Sequence, residues 1–311
     1  MSVRYFDPEI ALDNDTCVTI GVFDGVHLGH QALLKKTVEE ARARGLKSVA
    51  LTFEPHPLAL LKPEAAPKMI YDLQKRCDLI KSTGLDEVIV IRFDQSMAIQ
   101  SAENFIFSVL VDNLKAKVVV VGEDFRFGNN REGDLGYLKL RGSKLGFKTI
   151  GISLVTDGSK RVSSTLLRSG ISAGNMADAY SMMLRYFSYS SRVIHGESRG
   201  AELGYPTANL IIDDKLVIPP NGIYAGFCFI DQEFKVAAVS IGIRPTFDDD
   251  NKLSFEIFIV DFTGNLYNRT IEIFFVERLR DEIKFESVDA LMTQMRVDVE
   301  QSVEIIGKLK V

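Results

Sequence analysis

Two histidines near the N-terminus stand three positions apart, where an apolar strand is predicted to lead into a helix. The strand ends at Phe23, a glycine-containing turn follows, and the helix is predicted to begin near Gly29. A helix N-terminus presents free N–H groups and a partial positive charge, both of which suit a phosphate. His27 and His30 can donate hydrogen bonds to the same phosphate oxygens, so this segment predicts a phosphate site.

Two other interpretations of the histidine pair remain open. The segment can be a tight strand–helix turn with two incidental histidines, or it can be part of a zinc site. No third zinc ligand lies nearby in the sequence, although a zinc site needs at least three protein ligands. The chain has 4 histidines, and His27, His30 and His56 all fall at predicted strand ends of one region, which favours the phosphate interpretation.

A second group of candidates combines hydroxyls with an arginine at the predicted start of a later helix. Ser163, Ser164 and Thr165 bring hydroxyl and N–H donors to that helix start. Arg168 adds a guanidinium fork that suits phosphate. Plain helix capping explains the hydroxyls at least as well when they are taken alone, so a phosphate role depends on the neighbouring segments.

A loop after another predicted strand combines aromatic surface with charge. Its residues Asp124, Phe125, Arg126 and Phe127 are followed by a glycine. Aromatic rings and a cation beside a strand end suit a flat aromatic ligand that carries a phosphate. The alternative is a packed loop that carries a surface arginine.

The second half of the chain offers oxygen ligands and a carboxylate. Thr207 and Asn209 alternate on a predicted strand, and a hydroxyl together with an amide oxygen suits Mg²⁺ bound to phosphate. Glu256 lies in an otherwise apolar strand, where a lone carboxylate is unfavourable unless it faces a site or a partner. The alternatives are an ordinary turn leading into an edge strand, and an outward-facing strand residue.

The candidate residues of the first half of the chain lie in a region where predicted strands and helices alternate. From about residue 16 to 155, short runs rich in β-branched residues alternate with stretches of helical spacing. The predicted strands are 17–22, 48–53, 87–93, 117–121 and 148–154, and the predicted helices include 31–44 and 71–82. This alternation predicts a parallel sheet with helices on both faces, in which ligands bind beyond the carboxyl ends of the strands.

The pattern changes near residue 172. Residues 172–186 are predicted to form a short helix and linker, and strands separated by turn signals follow. These strands are predicted at 191–195, 223–230, 235–241, 254–260 and 270–276. Their spacing predicts a small antiparallel barrel. We therefore expect two domains, residues 1–186 and residues 187–311.

A closing helix is predicted at about residues 287–309. Its apolar side chains form one stripe, which we expect to pack on the barrel. The stripe consists of Leu291, Met292, Met295, Val299, Val303 and Ile306.

Composition narrows the class of protein. The chain has 311 residues, of which 46% are hydrophobic and 25% charged, the balance of soluble domains with real cores. Its net charge of −5 argues against a general nucleic-acid binder, which needs a basic face. We see no membrane-spanning run or signal peptide, and Cys17, Cys77 and Cys228 are too far apart for a paired motif. We expect a cytoplasmic protein with small-molecule partners, and we predict no particular oligomeric state.

The N-terminal segments, taken together, resemble a known family. Residues 19–30 (TIGVFDGVHLGH) are similar to the HxGH motif of the nucleotidyltransferase superfamily, which transfers adenylyl groups from ATP. Later segments follow in an order similar to that of the adenylyltransferase module of bacterial FAD synthetases: 52–57 (TFEPHP), 122–128 (GEDFRFG), 131–134 (REGD) and 162–168 (VSSTLLR). The resemblance implies a Rossmann-like nucleotidyltransferase domain that adenylylates FMN.

The C-terminal segments resemble riboflavin kinases. Residues 199–210 (RGAELGYPTANL) are similar to the family signature built around Pro-Thr-Ala-Asn. Other family-like segments are 219–224, 242–247 and 255–262. The resemblance places the catalytic glutamate of the family at Glu256.

Three positions depart from the usual kinase pattern. Ser240 stands where Asn is usual, Phe258 where His is frequent, and Asn268 where Gly is usual. Asn tolerates a positive φ angle fairly well, so Asn268 can still serve a turn. Ser240 shortens one polar side chain, which weakens the prediction of kinase activity relative to that of adenylyl transfer.

The resemblance assigns a role to each candidate. His27 and His30 stabilise charge during adenylyl transfer, and Glu256 takes the proton of the riboflavin 5′-hydroxyl. The residues assigned to ATP and its phosphates are Gly21, Phe23, Gly25, Gly29, Ser163, Ser164, Thr165, Arg168, Gly204, Pro206, Thr207 and Asn209. The residues assigned to the flavin are His56, Pro57, Asp124, Phe125, Arg126, Phe127 and Arg244. Thr207 and Asn209 are also the expected ligands of Mg²⁺, and the expected substrates are ATP, riboflavin and FMN.

Two alternatives to a bifunctional enzyme are open at this point. The barrel can be a flavin-binding regulatory module that does no chemistry, which leaves only the adenylyltransferase. The HxGH-like segment also suggests a tRNA-charging enzyme, but the acidic composition and the lack of a Lys-rich KMSKS-like loop argue against that class.

Overall fold

The computed structural model describes residues 3–153, 156–157, 160–196, 204–244 and 252–309. The chain divides into two compact units, Met1–Ser164 and Thr165–Val311. The contacts within the chain assign residues 165–186 to the second unit. The functional domain boundary expected at residue 186 stays a prediction. In the described ranges, no helix is long and apolar enough to cross a membrane.

A parallel sheet forms the centre of the first unit. Its described strands are β1 (Arg4–Tyr5), β2 (Thr16–Ile20), β3 (Lys47–Glu54), β4 (Glu87–Arg92), β5 (Ala116–Gly122) and β8 (Lys148–Ile152), in the order β1-β4-β3-β2-β5-β8. Two small hairpins are formed by β6 (Arg126–Phe127) with β7 (Gly133–Asp134), and by β9 (Thr156–Asp157) with β10 (Lys160–Arg161). The predicted parallel sheet is therefore confirmed.

Strand β2 lies between β3 and β5, and all five of its residues are buried. Val18 pairs in register with Val49 of β3 and with Val119 of β5. Strands covered on both faces have continuous apolar sequences, which is why these runs show no alternation. The strand order reverses between β2 and β5, so the loops that follow these two strands share the position where such sheets bind ligands.

Helices cover this sheet. In chain order they are α1 (Leu28–Arg44), α2 (Pro57–Leu61), α3 (Leu73–Lys81), α4 (Gln95–Ala98), α5 (Ala102–Asn104), a π-helical segment (Phe105–Asn113) and α6 (Leu135–Leu145). Helix α1 buries Leu34, Val38 and Ala41, whose helical spacing places them on one face. It ends at Gly45, whose φ of 65° gives the left-handed conformation that glycine adopts without strain.

A closed antiparallel barrel forms the centre of the second unit. Its described strands are β11 (Phe187–Ile194), β12 (Thr207–Leu210), β13 (Gly222–Ile230), β14 (Glu233–Arg244), β15 (Lys252–Ile259) and β16 (Thr270–Arg280), in the order β11-β12-β15-β14-β13-β16. Helices α7 (Ser164–Ser172) and α8 (Met176–Met183) precede it, and α9 (Val288–Gly307) follows it. The predicted barrel and closing helix are confirmed.

Aromatic side chains fill one part of the barrel core. The ring of Phe275 lies 5.6 Å from that of Phe187, 5.4 Å from that of Tyr224 and 5.9 Å from that of Phe255. All four side chains are almost completely buried. Each of the four residues lies on a different strand, so their contacts stabilise the packing of four strands around one core.

The three cysteines are buried and free. Burial raises the pKa of Cys17 and of Cys228 to about 12, so both thiols are protonated near neutral pH. Burial also raises the pKa of Cys77. The cysteines therefore act as small apolar core residues rather than as nucleophiles.

Helix α9 docks on the barrel through an ion pair as well as through apolar contacts. Arg280 at the end of β16 donates to both carboxylate oxygens of Asp298, at 2.9 and 2.6 Å, and Gln294 donates to the same carboxylate at 2.9 Å. Asp298 and Ile306 are buried. The predicted apolar stripe was wrong at Val303, which is 43% exposed, because the polar Asp298 takes a position on the docking face.

Removing the Asp298 carboxylate is expected to destabilise the barrel unit strongly. Asp298→Ala leaves the guanidinium of Arg280 without its partner, and breaking a buried pair in this way costs about 3 kcal/mol. The free energy of unfolding, measured by denaturant titration and circular dichroism, checks this value. Glu300 lies exposed on the same helix, so Glu300→Ala should change the stability by less than about 0.5 kcal/mol. Equal effects of the two changes would contradict a structural role for the pair.

Candidate active sites

The turn between β2 and α1 has an unusual backbone. Phe23 has a φ of 55°, Gly25 of 78° and Val26 of 38°. A positive φ is unfavourable for the branched side chain of Val26, and such strain persists only where the surroundings hold it. The turn is therefore a fixed structure rather than an adaptable loop.

Polar contacts from three distant parts of the chain hold this turn. The buried carboxylate of Asp24 accepts the N–H of Ile70 at 3.0 and 3.1 Å. The hydroxyl of Ser164 donates to the backbone oxygen of Asp24 at 2.8 Å, and that of Thr52 donates to Val22 at 3.0 Å. Ser164, a predicted phosphate ligand, is thus brought to the histidine turn. Asp24 is not among the predicted site residues, and its only signal in the sequence is an acidic residue inside an apolar segment.

The two predicted histidines lie side by side at the start of α1. Their rings stack with centroids 3.7 Å apart and planes 19° apart, and the edge of His30 meets Phe23 at 5.3 Å. Nδ1 of His27 accepts the backbone N–H of His30 at 3.4 Å. When the ring of His27 is neutral, this hydrogen bond places its proton on Nε2.

Gly21 and Gly29 leave room for the rings of this turn. A Cβ at Gly29 would lie 3.2 Å from two atoms of the His27 ring, and one at Gly21 would lie 3.1 Å from the Phe23 ring. Both distances are shorter than ordinary van der Waals contact. Larger residues at these positions would displace the side chains that the sequence analysis assigned to the phosphate site.

His56 has a local structural role. It caps α2, because its Nδ1 accepts the N–H of Leu58 at 3.1 Å, and Pro57 is the first residue of that helix. His56 is half-buried, so the cap does not remove it from solvent. A flavin contact of His56 and Pro57 stays a prediction.

The end of strand β3 is held by an arginine that the sequence analysis did not single out. The side chain of Arg76 is fully buried, and it donates to the backbone oxygen of Phe53 at 3.0 Å and to Glu54 at 2.7 Å. A buried guanidinium is rare unless it is paired. The only sequence signal was a charge on the apolar face of α3.

The loop after β5 is partly a packed loop and partly an exposed one. Phe127 is buried in the core against Phe105 and stacks on Phe125, with centroids 5.3 Å apart. Arg126 is exposed and donates to the backbone oxygen of Phe125 at 2.9 Å, and Asp124 pairs with Arg161. Phe127 thus supports the loop from the core, whereas Asp124 and Arg126 lie at its surface.

The boundary between the two units divides the phosphate candidates at residues 163–168. Ser163 and Ser164 end the first unit, while Thr165 and Arg168 belong to the second. Thr165 is exposed and Arg168 is half-buried. The approach of these two side chains to the histidine turn stays a prediction.

Three residues predicted for the second site come together on adjacent strands of the barrel. Asn209 of β12 pairs in register with Glu256 of β15, and the hydroxyl of Thr207 donates to Oε2 of Glu256 at 2.9 Å. Glu256 lies on the face of β15 away from the buried Phe255 and Ile257. It is therefore outward-facing, as the alternative interpretation required, yet it is half-buried beside both predicted Mg²⁺ ligands.

Two of the three unusual positions, Ser240 and Phe258, pair with residues of this group. Ser240 pairs in register with Glu256 on the opposite side from Asn209. Phe258 pairs with Thr207, and its ring lies 5.1 Å from that of Tyr205. Asn268 has a φ of 65°, so it does adopt the turn conformation for which glycine is usual.

A cavity of about 310 Å³ borders Thr207. It is mostly apolar, and a loop that the sequence analysis did not assign supplies one wall. The lining residues include Val193, Pro206, Thr207, Ile257, Phe262 and Tyr267. Gly204, two residues before Pro206, has a φ of 83°. The side chain of Arg244, a predicted flavin contact, lies outside the described residues, although its backbone ends β14.

Two family models match the chain, one in each half. A model described as FAD synthetase matches residues 9–166, and one described as riboflavin kinase matches residues 183–306. The first match contains the histidine turn, and the second contains the Thr207, Asn209 and Glu256 group.

Several proteins resemble the chain along nearly its whole length. A bifunctional riboflavin kinase/FMN adenylyltransferase of Escherichia coli K12 is 36% identical, and the match covers 94% of each chain. One from Listeria monocytogenes is 32% identical over 96% of this chain and 95% of its own. A crystal structure titled macrolide-efflux protein, from Streptococcus pneumoniae, has a TM-score of 0.86 and 31% identity, covering 94% of this chain and 95% of its own.

Proposed function

We propose residue roles for this chain, which belongs to the family of bifunctional riboflavin kinase/FMN adenylyltransferases. The chain phosphorylates riboflavin with ATP to give FMN, and it transfers the adenylyl group of ATP to FMN to give FAD and pyrophosphate. We assign adenylyl transfer to the first unit and phosphorylation to the barrel. The observation that carries this assignment is the separation of the stacked histidines from the Thr207–Glu256 hydrogen bond, each in its own unit.

Adenylyl transfer joins two phosphates and needs little proton transfer. An oxygen of the FMN phosphate, already anionic, forms a bond to the α-phosphorus of ATP while the bond to pyrophosphate breaks. The protein must hold the two groups in line and stabilise the charge that develops. His27 and His30 serve this purpose at the N-terminus of α1, whose partial positive charge adds to their effect. Arg168 and the segment around Ser164 bind the phosphates of ATP.

FMN binds at the loops that follow β3 and β5. These strands flank β2, which leads into the histidine turn, and the loop after β5 lies at the reversal of strand order. We assign the exposed Asp124 and Arg126, together with Phe125, His56 and Pro57, to the flavin. Phe127 supports this loop from the core.

Phosphorylation of riboflavin needs a proton acceptor, because the attacking group is a neutral alcohol. Glu256 accepts the proton of the 5′-hydroxyl as its oxygen bonds to the γ-phosphorus of ATP and the bond to ADP breaks. Thr207 donates to Oε2 of Glu256, which helps to orient the carboxylate beside the two predicted Mg²⁺ ligands. The presence of all three residues of the group favours a catalytic barrel over a purely regulatory one.

Thr207 and Asn209 provide the kind of ligands that Mg²⁺ prefers. A hydroxyl oxygen can bind the ion while its proton remains hydrogen-bonded to Glu256, and the amide of Asn209 offers a second oxygen. Mg²⁺ held by these two residues together with ATP would neutralise phosphate charge. The apolar cavity beside Pro206 and Thr207 is the site we assign to the nucleoside end of ATP.

We also propose that the chain works in the cytoplasm on small molecules alone. The net charge of −5 supports the absence of a nucleic-acid partner. The free, buried cysteines suit a reducing compartment.

Separate fragments are expected to divide the two activities. Residues 1–186 should convert FMN to FAD with Mg²⁺ and ATP but not use riboflavin, while residues 187–311 should convert riboflavin to FMN and stop there. Chromatography of the flavins after incubation measures both results. A third fragment, residues 173–311, keeps α8, whose Met182 and Met183 are buried, so it should be the more stable kinase. A folded 1–186 fragment that cannot adenylate FMN would contradict the assignment.

A further inference from the structure

Gly196 lies directly against the side chain of Asn209. A Cβ at Gly196 would overlap the amide nitrogen of Asn209 and would lie 2.6 Å from its Cγ and 3.0 Å from its Oδ1. The backbone of Gly196 does not have a positive φ, so its conformation is open to any residue. Glycine is therefore required here because a Cβ would not fit beside Asn209, and not because the backbone needs a positive φ.

The carboxamide of Asn209 is confined from two directions. Strand β12 runs between β11 and β15, and Asn209 pairs in register with Ile194 on one side and with Glu256 on the other. Gly196 follows Ile194 by two residues, so the chain leaving β11 forms the wall opposite Glu256. Asn209 is only 8% exposed as a result.

We propose that Gly196 is a positioning residue of the kinase site, which fixes the carboxamide of Asn209 in the orientation that binds Mg²⁺–ATP. The proposal rests on the proposed function of the barrel. The atoms that a Cβ would overlap form the end of a side chain, which can turn about its own bonds. Alanine at this position should therefore turn the carboxamide of Asn209 away from the site and leave the strands in place.

The test uses the full-length protein with Gly196→Ala. We expect kcat for riboflavin phosphorylation to fall by roughly 10²-fold, the loss that a displacement of about 1 Å can cause. The Mg²⁺ concentration for half-maximal rate should rise, while conversion of supplied FMN to FAD and the circular dichroism melting curve should not change. Gly307→Ala is the control, because a Cβ there has no atom within 4 Å and the backbone φ is not positive. It should behave like the wild type.

A double-mutant cycle with Asn209→Ala separates this role from a merely structural one. If Gly196 acts through Asn209, Gly196→Ala should add no further loss once the Asn209 side chain is gone. Rates are measured with enzyme in excess, so that slow variants remain measurable. Equal losses in both backgrounds, wild-type kinase activity of Gly196→Ala, or loss of the barrel fold in that variant would each overturn the proposal. Full activity of Asn209→Ala would instead overturn the proposed function of Asn209.

Discussion

Replacing His27 or His30 with alanine is expected to slow the conversion of FMN to FAD by about 10²-fold or more. Each ring is a donor held in place at a helix N-terminus, and loss of one such preorganised donor has an effect of this size. The stacked rings, 3.7 Å apart, can reach oxygens of one phosphate group together. Riboflavin phosphorylation should continue, because we assign its site to the other unit. The two rates are measured separately, with FMN or riboflavin as the flavin.

Two further variants show whether a loss reflects chemistry or folding. His27 also caps α1, so His27→Ala removes a cap worth about 1 kcal/mol. Ser is a good capping residue that is too short to replace the ring, so His27→Ser should restore the stability but not the rate. His195 is the histidine of the barrel unit, and His195→Ala should leave FAD formation unchanged. Wild-type FAD formation by both His27→Ala and His30→Ala would exclude the assigned role.

The architecture of both units was predictable because it depends on local pattern. The buried strands of the first unit appear as continuous apolar runs, and the spacing of Leu34, Val38 and Ala41 marks the inner face of α1. The barrel strands were found through their turns, although they proved longer than predicted. Strand β16 extends to Arg280, beyond the apolar run, because its last residues pair with β13 and with Asp298.

The contacts that shape the sites were not predictable, because they join residues far apart in the sequence. The hydrogen bond from Ser164 to Asp24 spans 140 residues, and that from Thr207 to Glu256 spans 49. The spacing of apolar residues predicts which face of a strand or helix is buried, but it does not predict contacts between distant segments. Burial also changed the role of one candidate. Phe127 is an aromatic residue beside a strand end, as a flavin contact would be, but its side chain is buried in the core.

Replacing Glu256 with glutamine is expected to lower kcat for riboflavin phosphorylation by about 10²-fold or more, the range that a general base contributes. Glutamine keeps the size and shape of the side chain, and its amide oxygen can still accept the hydroxyl of Thr207. It cannot take up the proton of the riboflavin 5′-hydroxyl. The fold should therefore survive, and FAD formation from supplied FMN should stay at the wild-type rate.

The face of strand β15 on which Glu256 lies makes a matched control necessary. Glu256 points away from the barrel core, as an ordinary surface carboxylate would. Its location alone therefore does not distinguish a general base from a structural strand residue. Glu277 is an exposed carboxylate on strand β16 of the same barrel, and Glu277→Gln removes the same charge without touching the site. The riboflavin kinase rate, followed by chromatography of FMN, should fall only for Glu256→Gln. Equal kinase rates for the two variants would show that Glu256 is a structural strand residue and that the base lies elsewhere.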